Sequence, residues 1–213
     1  MLGRILVPEA VSNISWGGRK RNRLLVAATT SLYSLVLTVS GPPPTRATPP
    51  LDLRPMSSST AAALLAGERP TDATTVEGYP TEFSVGMVPS VGNGSPLGPF
   101  LIHRREDGLV VGDIGGGFTA PGQVELGYAI ATSCQGKEYA SAAVHAFLSL
   151  ARQAPDVTLL VGHTPLDRPA SARVLEKAGF TFTGTVEDEH DGQPLRVLEW
   201  QIRLPSESRP RSE

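Results

Sequence analysis

The sequence predicts one mixed α/β domain behind an N-terminal extension, and three observations lead there. The chain of 213 residues is 40% hydrophobic with 22 Gly and 19 Pro, the make-up of a globular core joined by turn-rich connections. Two hairpin signals stand out, apolar runs around the Glu-Asp-Gly of residues 106–108 and around Asp191-Gly192. Between and around them, stretches of period two alternate with stretches of period 3.6, in the order β-α-α-β-β-β-α-β-α-β-β from Leu51 onward.

Taken in order, "LDLRP" is a short strand ending at Pro55. "SSSTAAALLAGE" is a Ser/Thr-capped helix with Ala61, Leu64 and Leu65 on one side. Residues 70–98 carry scattered Gly and Pro and are expected to hold one or two short helices and loops. "PFLIHR" and "LVVGDIGG" form the first hairpin, and "QVELGYAIAT" is a further strand. "YASAAVHAFLSLAR" places Ala140, Ala143, Val144, Phe147 and Ala151 along one helical stripe, with His145 off it in solvent. "VTLLVGH" is a strand, "RPASARVLEKAG" a helix closed by Gly179 with Asp167 as its N-cap, and residues 180–204 the closing hairpin.

The first 44 residues differ in character. Five cations face one acid there, a net +4, which leaves −6 on the remainder of a chain whose total is −2. An acidic body suits cationic ligands and argues against a nucleic-acid footprint. "GRKRNR" followed by "LLVAATTSLYSLVLTVS" has the outline of a signal or anchor. That apolar run is short and holds six Ser or Thr, so residues 1–44 are expected to be a poorly ordered extension ending in a Pro-rich linker, with membrane attachment disfavoured. Residues 45–205 then form the domain and 206–213 a disordered tail. The single cysteine, Cys134, excludes an internal disulfide and suits a cytoplasmic setting, and four widely spaced histidines imply no metal.

Chemistry is expected around the strand 123–132. Val124, Leu126, Tyr128 and Ile130 point to one face, while Glu125, Gly127, Ala129 and Ala131 point to the other. That second face is bare except for the acid, so an extended ligand can approach the backbone closely. The loop Gln135–Tyr139 then offers successive N–H groups at the start of a helix, which suits a phosphate. Neither a Walker-type phosphate loop nor a dinucleotide fingerprint is present. Cys134 reads as a small packing residue.

"VELGYAIATSCQGKEYASAAV", "DRPASARVLEKAGF" and the closing "GTVEDEHDGQPLRVLEW", in that order, resemble the GNAT superfamily of acetyl-CoA-dependent N-acetyltransferases, and within it the ribosomal-protein-alanine branch. The resemblance covers about residues 48–204 and implies a mostly antiparallel sheet splayed between its fourth and fifth strands. It also implies acetyl-CoA and an amine acceptor (a small molecule or a protein N-terminus) as partners, for a monomer or homodimer. By position, Gln135, Gly136, Lys137, Glu138, Tyr139 and Ala140 inherit the pyrophosphate loop, with Glu138 at the family's central glycine. Tyr128, Ala129 and Ile130 inherit the backbone that meets the thioester. Arg168 stands at the family's Asn position near the cofactor, and Ser171 at that of a serine close to the sulfur, where it suits protonation of the leaving thiolate. Glu125 is the candidate general base for the amine, with His163 as a substitute acting through water. A second reading, of a different class, keeps the fold as an acyl-CoA-binding module with weakened catalysis; Glu138 and Arg168 support it.

Overall fold

The computed structural model describes residues 8–17, 23–36, 49–91, 95–190 and 193–205. The chain divides into two compact units, Met1–Ala47 and Thr48–Glu213. In the first unit, strands β1 (Val11–Gly17), β2 (Arg23–Ala28) and β3 (Leu32–Val36) form an antiparallel meander. This differs from the expected poorly ordered extension. The Ser and Thr residues that weaken a helical span are compatible with strands, and they make the β2–β3 turn. Glu9 ties that turn down: its carboxylate accepts from Thr30 N at 2.7 Å, Ser31 Oγ at 2.6 Å and Tyr33 Oη at 3.0 Å. These hydrogen bonds, led by Ser31, hold Glu9 at about 2. The basic stretch 18–22, most of the Pro-rich linker, the Asp191-Gly192 turn and the tail from 206 lie outside the described residues.

The second unit is a seven-stranded sheet in the order β4-β5-β6-β7-β8-β10-β9. Its strands are β4 (Leu51–Pro55), β5 (Phe100–Arg104), β6 (Val110–Ala120), β7 (Gln123–Ile130), β8 (Leu159–Pro165), β9 (Thr181–His190) and β10 (Gln193–Arg203). Every neighbouring pair is antiparallel except β7–β8, which is parallel. That pairing runs only from Gln123–Leu159 to Leu126–Gly162. Beyond it, β7 stays with β6 as far as Ile130, and β8 stays with β10 as far as Pro165. The sheet therefore splays between its fourth and fifth strands, as the resemblance implies.

One face carries α2 (Tyr139–Ala151) and α3 (Pro169–Lys177). Ala143, Val144, Phe147 and Ala151 are fully buried, while His145 is exposed. Close approach explains two glycines of the sheet. A Cβ on Gly116 would come within 2.8 Å of Phe147, and one on Gly162 within 2.9 Å of Leu175. Asp167 is not the cap of α3; Arg168 occupies that position without a side-chain cap. On the opposite face lie α1 (Ser58–Leu65) and one 3-10 turn, Ser84–Ser90, within the ambiguous segment. Ser57 caps α1 through Thr60 N, and Asp72 accepts from the hydroxyls of Ser57, Ser59 and Thr60, which holds it at about 2. Leu65, expected on the buried side of α1, is 66% exposed because the helix ends there and only Ala61 and Leu64 reach the core.

Asp113 of β6 is fully buried beneath the 3-10 turn, where Ser84 Oγ donates to it at 2.5 Å. Burial pushes its carboxyl up to about 6, and burial together with the nearby Asp113 raises the Tyr79 phenol. The folded protein therefore retains a proton that the unfolded chain releases above about pH 4. The stability linked to Asp113 falls as pH rises from about 4 to about 6. Asp113→Asn should cancel this. Relative to wild type, the variant is expected to gain up to about 2–3 kcal/mol between pH 4 and pH 7 in urea denaturation. A parallel pH response of the two proteins would remove Asp113 as the cause.

Candidate functional site

A cavity of about 810 Å³ opens where β7 and β8 part. The end of β7 supplies Tyr128, Ala129 and Ile130 to its lining, and the following loop and first turn of α2 supply Gln135, Gly136, Glu138, Tyr139 and Ala140. Arg168 and Ser171 come from the start of α3. Every residue assigned to the coenzyme from the sequence lines this cavity except Lys137, whose Nζ turns back to donate to Ser133 O at 2.8 Å. Cys134 is buried in the same wall.

Side-chain hydrogen bonds brace the loop. Gln135 Nε2 donates to Ile130 O at 3.1 Å, and Ser133 Oγ to Glu77 O at 2.6 Å. Gly136 has φ +69 with open space where a Cβ would sit, so its backbone can approach a ligand. Glu138 also lies in the left-handed region, at φ 65, the only non-glycine to do so among the described residues. For a residue with a Cβ this costs about 1–2 kcal/mol. Its carboxylate is not turned out to water. Lys177 Nζ donates to its two oxygens at 3.0 and 3.1 Å, and Ser141 Oγ donates at 3.1 Å.

Two contacts span the cavity walls. Tyr128 Oη donates to Ser171 O at 3.1 Å, tying the end of β7 to α3, and burial keeps this phenol protonated up to about 12. Arg168 Nη2 donates to Glu82 Oε1 at 2.8 Å, with its guanidinium 4.6 Å from the centre of the Phe83 ring.

Glu125 lies elsewhere. It alternates with Gly127 on the face that carries the 3-10 turn, and it does not line the cavity. That face is less bare than the sequence suggests. A Cβ on Gly127 would sit 2.8 Å from Met87 Cε, so methionine, not ligand, covers the strand there. Opposite Glu125, Gly117 has nothing within 4 Å of a Cβ position, and the surface is open.

Glu125 Oε1 accepts from His163 Nδ1 at 3.0 Å; Asp188 Oδ2 is 3.8 Å from the same nitrogen, and Glu199 Oε2 is 3.7 Å from Nε2. The Glu125 hydrogen bond first, then the surrounding charges, raise the His163 pKa against the opposing effect of burial. Ligand atoms of Glu125, His163 and Asp188 lie within 4.8 Å of one another, a donor set that a divalent ion accepts. The histidine spacing in the sequence does not reveal it. Sequence reasoning singles out neither Asp188 nor Glu199. The period-two pattern of β10 could have pointed to Glu199, which pairs directly with His163.

The mixed α/β fold with its splayed, mostly antiparallel sheet agrees with what the family comparison shows: the chain belongs to the GNAT acetyltransferase family. The family model described as "Acetyltransferase (GNAT) domain" matches residues 51–181. Among solved structures, a ribosomal-protein-serine acetyltransferase from Vibrio cholerae, described as putative, aligns at 16% identity over 72% of this chain and 93% of that one, with TM-score 0.54. A ribosomal L7/L12 alpha-N-protein acetyltransferase in complex with coenzyme A aligns at 19% identity over 76% and 98%, with TM-score 0.56. A spermidine N-acetyltransferase chimera from Vibrio cholerae and hSSAT aligns at 15% identity over 72% and 95%, with TM-score 0.54. At these identities the likeness is one of fold. Comparison with curated protein sequences gives no match. No helix among the described residues is long and apolar enough to cross a membrane.

His163 supplies a prediction about the cluster. Because its folded pKa is raised, its contribution to stability is fully present below the ordinary histidine value of about 6.5 and is lost as pH rises through the folded value. Glu125, Asp188 and Glu199 are the charged groups that face it, from β7, β9 and β10. His163→Gln is expected to destabilise the protein more at pH 6 than at pH 9, as read by urea denaturation. A penalty independent of pH would mean that the imidazolium does not pair with these carboxylates.

Proposed function

We propose that the chain transfers an acetyl group from acetyl-CoA to a primary amine by direct attack in a ternary complex. The observation that carries this reading is the pairing of a phosphate-suited cavity at the splay with a histidine-braced carboxylate on the opposite face of the same strand. The backbone N–H groups that follow Gln135 at the start of α2 and the positive end of that helix suit a diphosphate, and the open space over Gly136 leaves room for it.

Acetyl-CoA, when bound, supplies an activated acyl group and a thiolate that can leave. The β7 backbone at Tyr128–Ile130, no longer paired to β8, is placed to polarise the thioester carbonyl. Glu125 takes one proton from the ammonium; the freed amine forms the new C–N bond as the C–S bond breaks, and the nitrogen then sheds its second proton to water, which balances the proton returned to the sulfur. Ser171, in the cavity wall, returns a proton to the thiolate sulfur and regains one from water. His163 keeps Glu125 in place through Nδ1–H. The acceptor is a protein N-terminus or a small-molecule amine, and the reaction is cytoplasmic. The strained Glu138 and the Arg168–Glu82 contact favour one other reading, a binding module with weakened turnover.

Thiol release across a panel of amines, with coenzyme A binding measured in parallel, tests both readings; binding without turnover on every acceptor selects the module. Glu125→Gln is expected to lower the maximal rate roughly 10²–10⁴-fold while leaving acetyl-CoA affinity unchanged. A variant that keeps the full rate from pH 6 to 9 would take Glu125 out of the mechanism.

A further inference from the structure

We propose that Glu138 is a built-in anion that holds the phosphate position of the empty protein, and that Lys177 and Ser141 pass from its carboxylate to the coenzyme diphosphate on binding. The inference rests on the acetyl-CoA reading of the cavity. Three observations support it. Glu138 is the N-cap residue of α2, a helix of 13 residues, so its side chain starts at the positive helix end that suits a phosphate, although its carboxylate caps no backbone N–H there. A primary ammonium, Lys177 Nζ, and a hydroxyl, Ser141 Oγ, already donate to that carboxylate, and both residues line the cavity. A cation, a hydroxyl and a helix N-terminus together are what a phosphate oxygen takes from a protein.

The third observation is the backbone. An acidic residue is held at φ 65, a conformation that glycine adopts freely, so the chain pays for a side chain here. What that side chain does is neutralise Lys177 and occupy Ser141 while no coenzyme is bound. When the diphosphate arrives, two anions compete for one lysine, and the phosphate, with more charge and more acceptor oxygens, takes it. Glu138 thereby weakens coenzyme binding, and Lys177 is a ligand that no loop motif in the sequence identifies.

The test is a double-mutant cycle on the full chain, with calorimetric titration of coenzyme A, dephospho-coenzyme A and pantetheine. Glu138→Gln is expected to tighten coenzyme A binding by about 3–30-fold at low salt, with the gain shrinking in 0.5 M salt (a condition chosen for the assay). Glu138→Gly, which also relieves the left-handed backbone, should tighten it at least as much. Lys177→Met is expected to weaken binding about 3–10-fold in the wild-type background and more in the Glu138→Gln background, where the lysine is uncommitted before binding. Dephospho-coenzyme A should show the whole effect and pantetheine none. Thermal melting of each variant separates loss of fold from loss of affinity. Equal affinity of wild type and Glu138→Gln, strictly additive variants, or an effect confined to the 3′-phosphate would each overturn the inference while leaving the acetyl-CoA reading intact. Absence of coenzyme A binding by every variant would overturn both.

Discussion

The structure depends on one broken partnership. β7 and β8 share a parallel ladder only as far as Leu126 and Gly162, after which each strand keeps its antiparallel neighbour and loses the other. Backbone groups at a parting of this kind must find partners or face a ligand. Here the gap is roofed by the loop after β7 and by the start of α3, and Tyr128 pins the two sides together through Ser171 O. Glycines at 116 and 162 let Phe147 and Leu175 press onto the sheet just before it opens, so the helices that frame the gap are seated by close packing.

Strand parity then separates two kinds of chemistry. Cationic and hydroxyl donors gather around Glu138 in the cavity, while carboxylates gather around His163 on the face that bears the 3-10 turn. Because successive side chains of a strand point to opposite faces, Glu125 and Tyr128 stand three residues apart on opposite sides of one sheet. A one-residue slip of β7 would exchange them and bury the acid under α2. Val124 and Leu126, both within 4% of full burial, oppose such a slip.

Much of this was legible in the sequence because the signals are local. The two hairpins, the stripe of α2, the glycine after α3 and the two faces of β7 each follow from residues within a dozen positions of one another. The splay itself was legible only through resemblance, since it depends on β6 holding the outer edge of β7 while β10 holds the outer edge of β8, the latter a pairing between strands far apart in the chain. Lys177 meets Glu138 across 39 positions, and Asp188 meets His163 from another hairpin, so neither contact has a sequence pattern. Met87 covers Gly127 from an irregular segment whose Gly and Pro content hides its geometry. In the first unit, a run rich in both aliphatic and hydroxyl side chains suits a strand as well as a weak span. The tether from Glu9 to Thr30 and Ser31 lies outside that run's periodicity.

The carboxylates that surround His163 come partly from β9 and β10, and among the described residues neither strand contributes to the wall of the cavity. On the proposed reading, this gives the scaffold a division of evolutionary labour. Drift in the terminal hairpin can retune which amines are accepted without touching the grip on the shared acyl donor. A new specificity then needs changes in only one hairpin at the end of the chain, which is an economical route for one fold to diverge toward many acceptors.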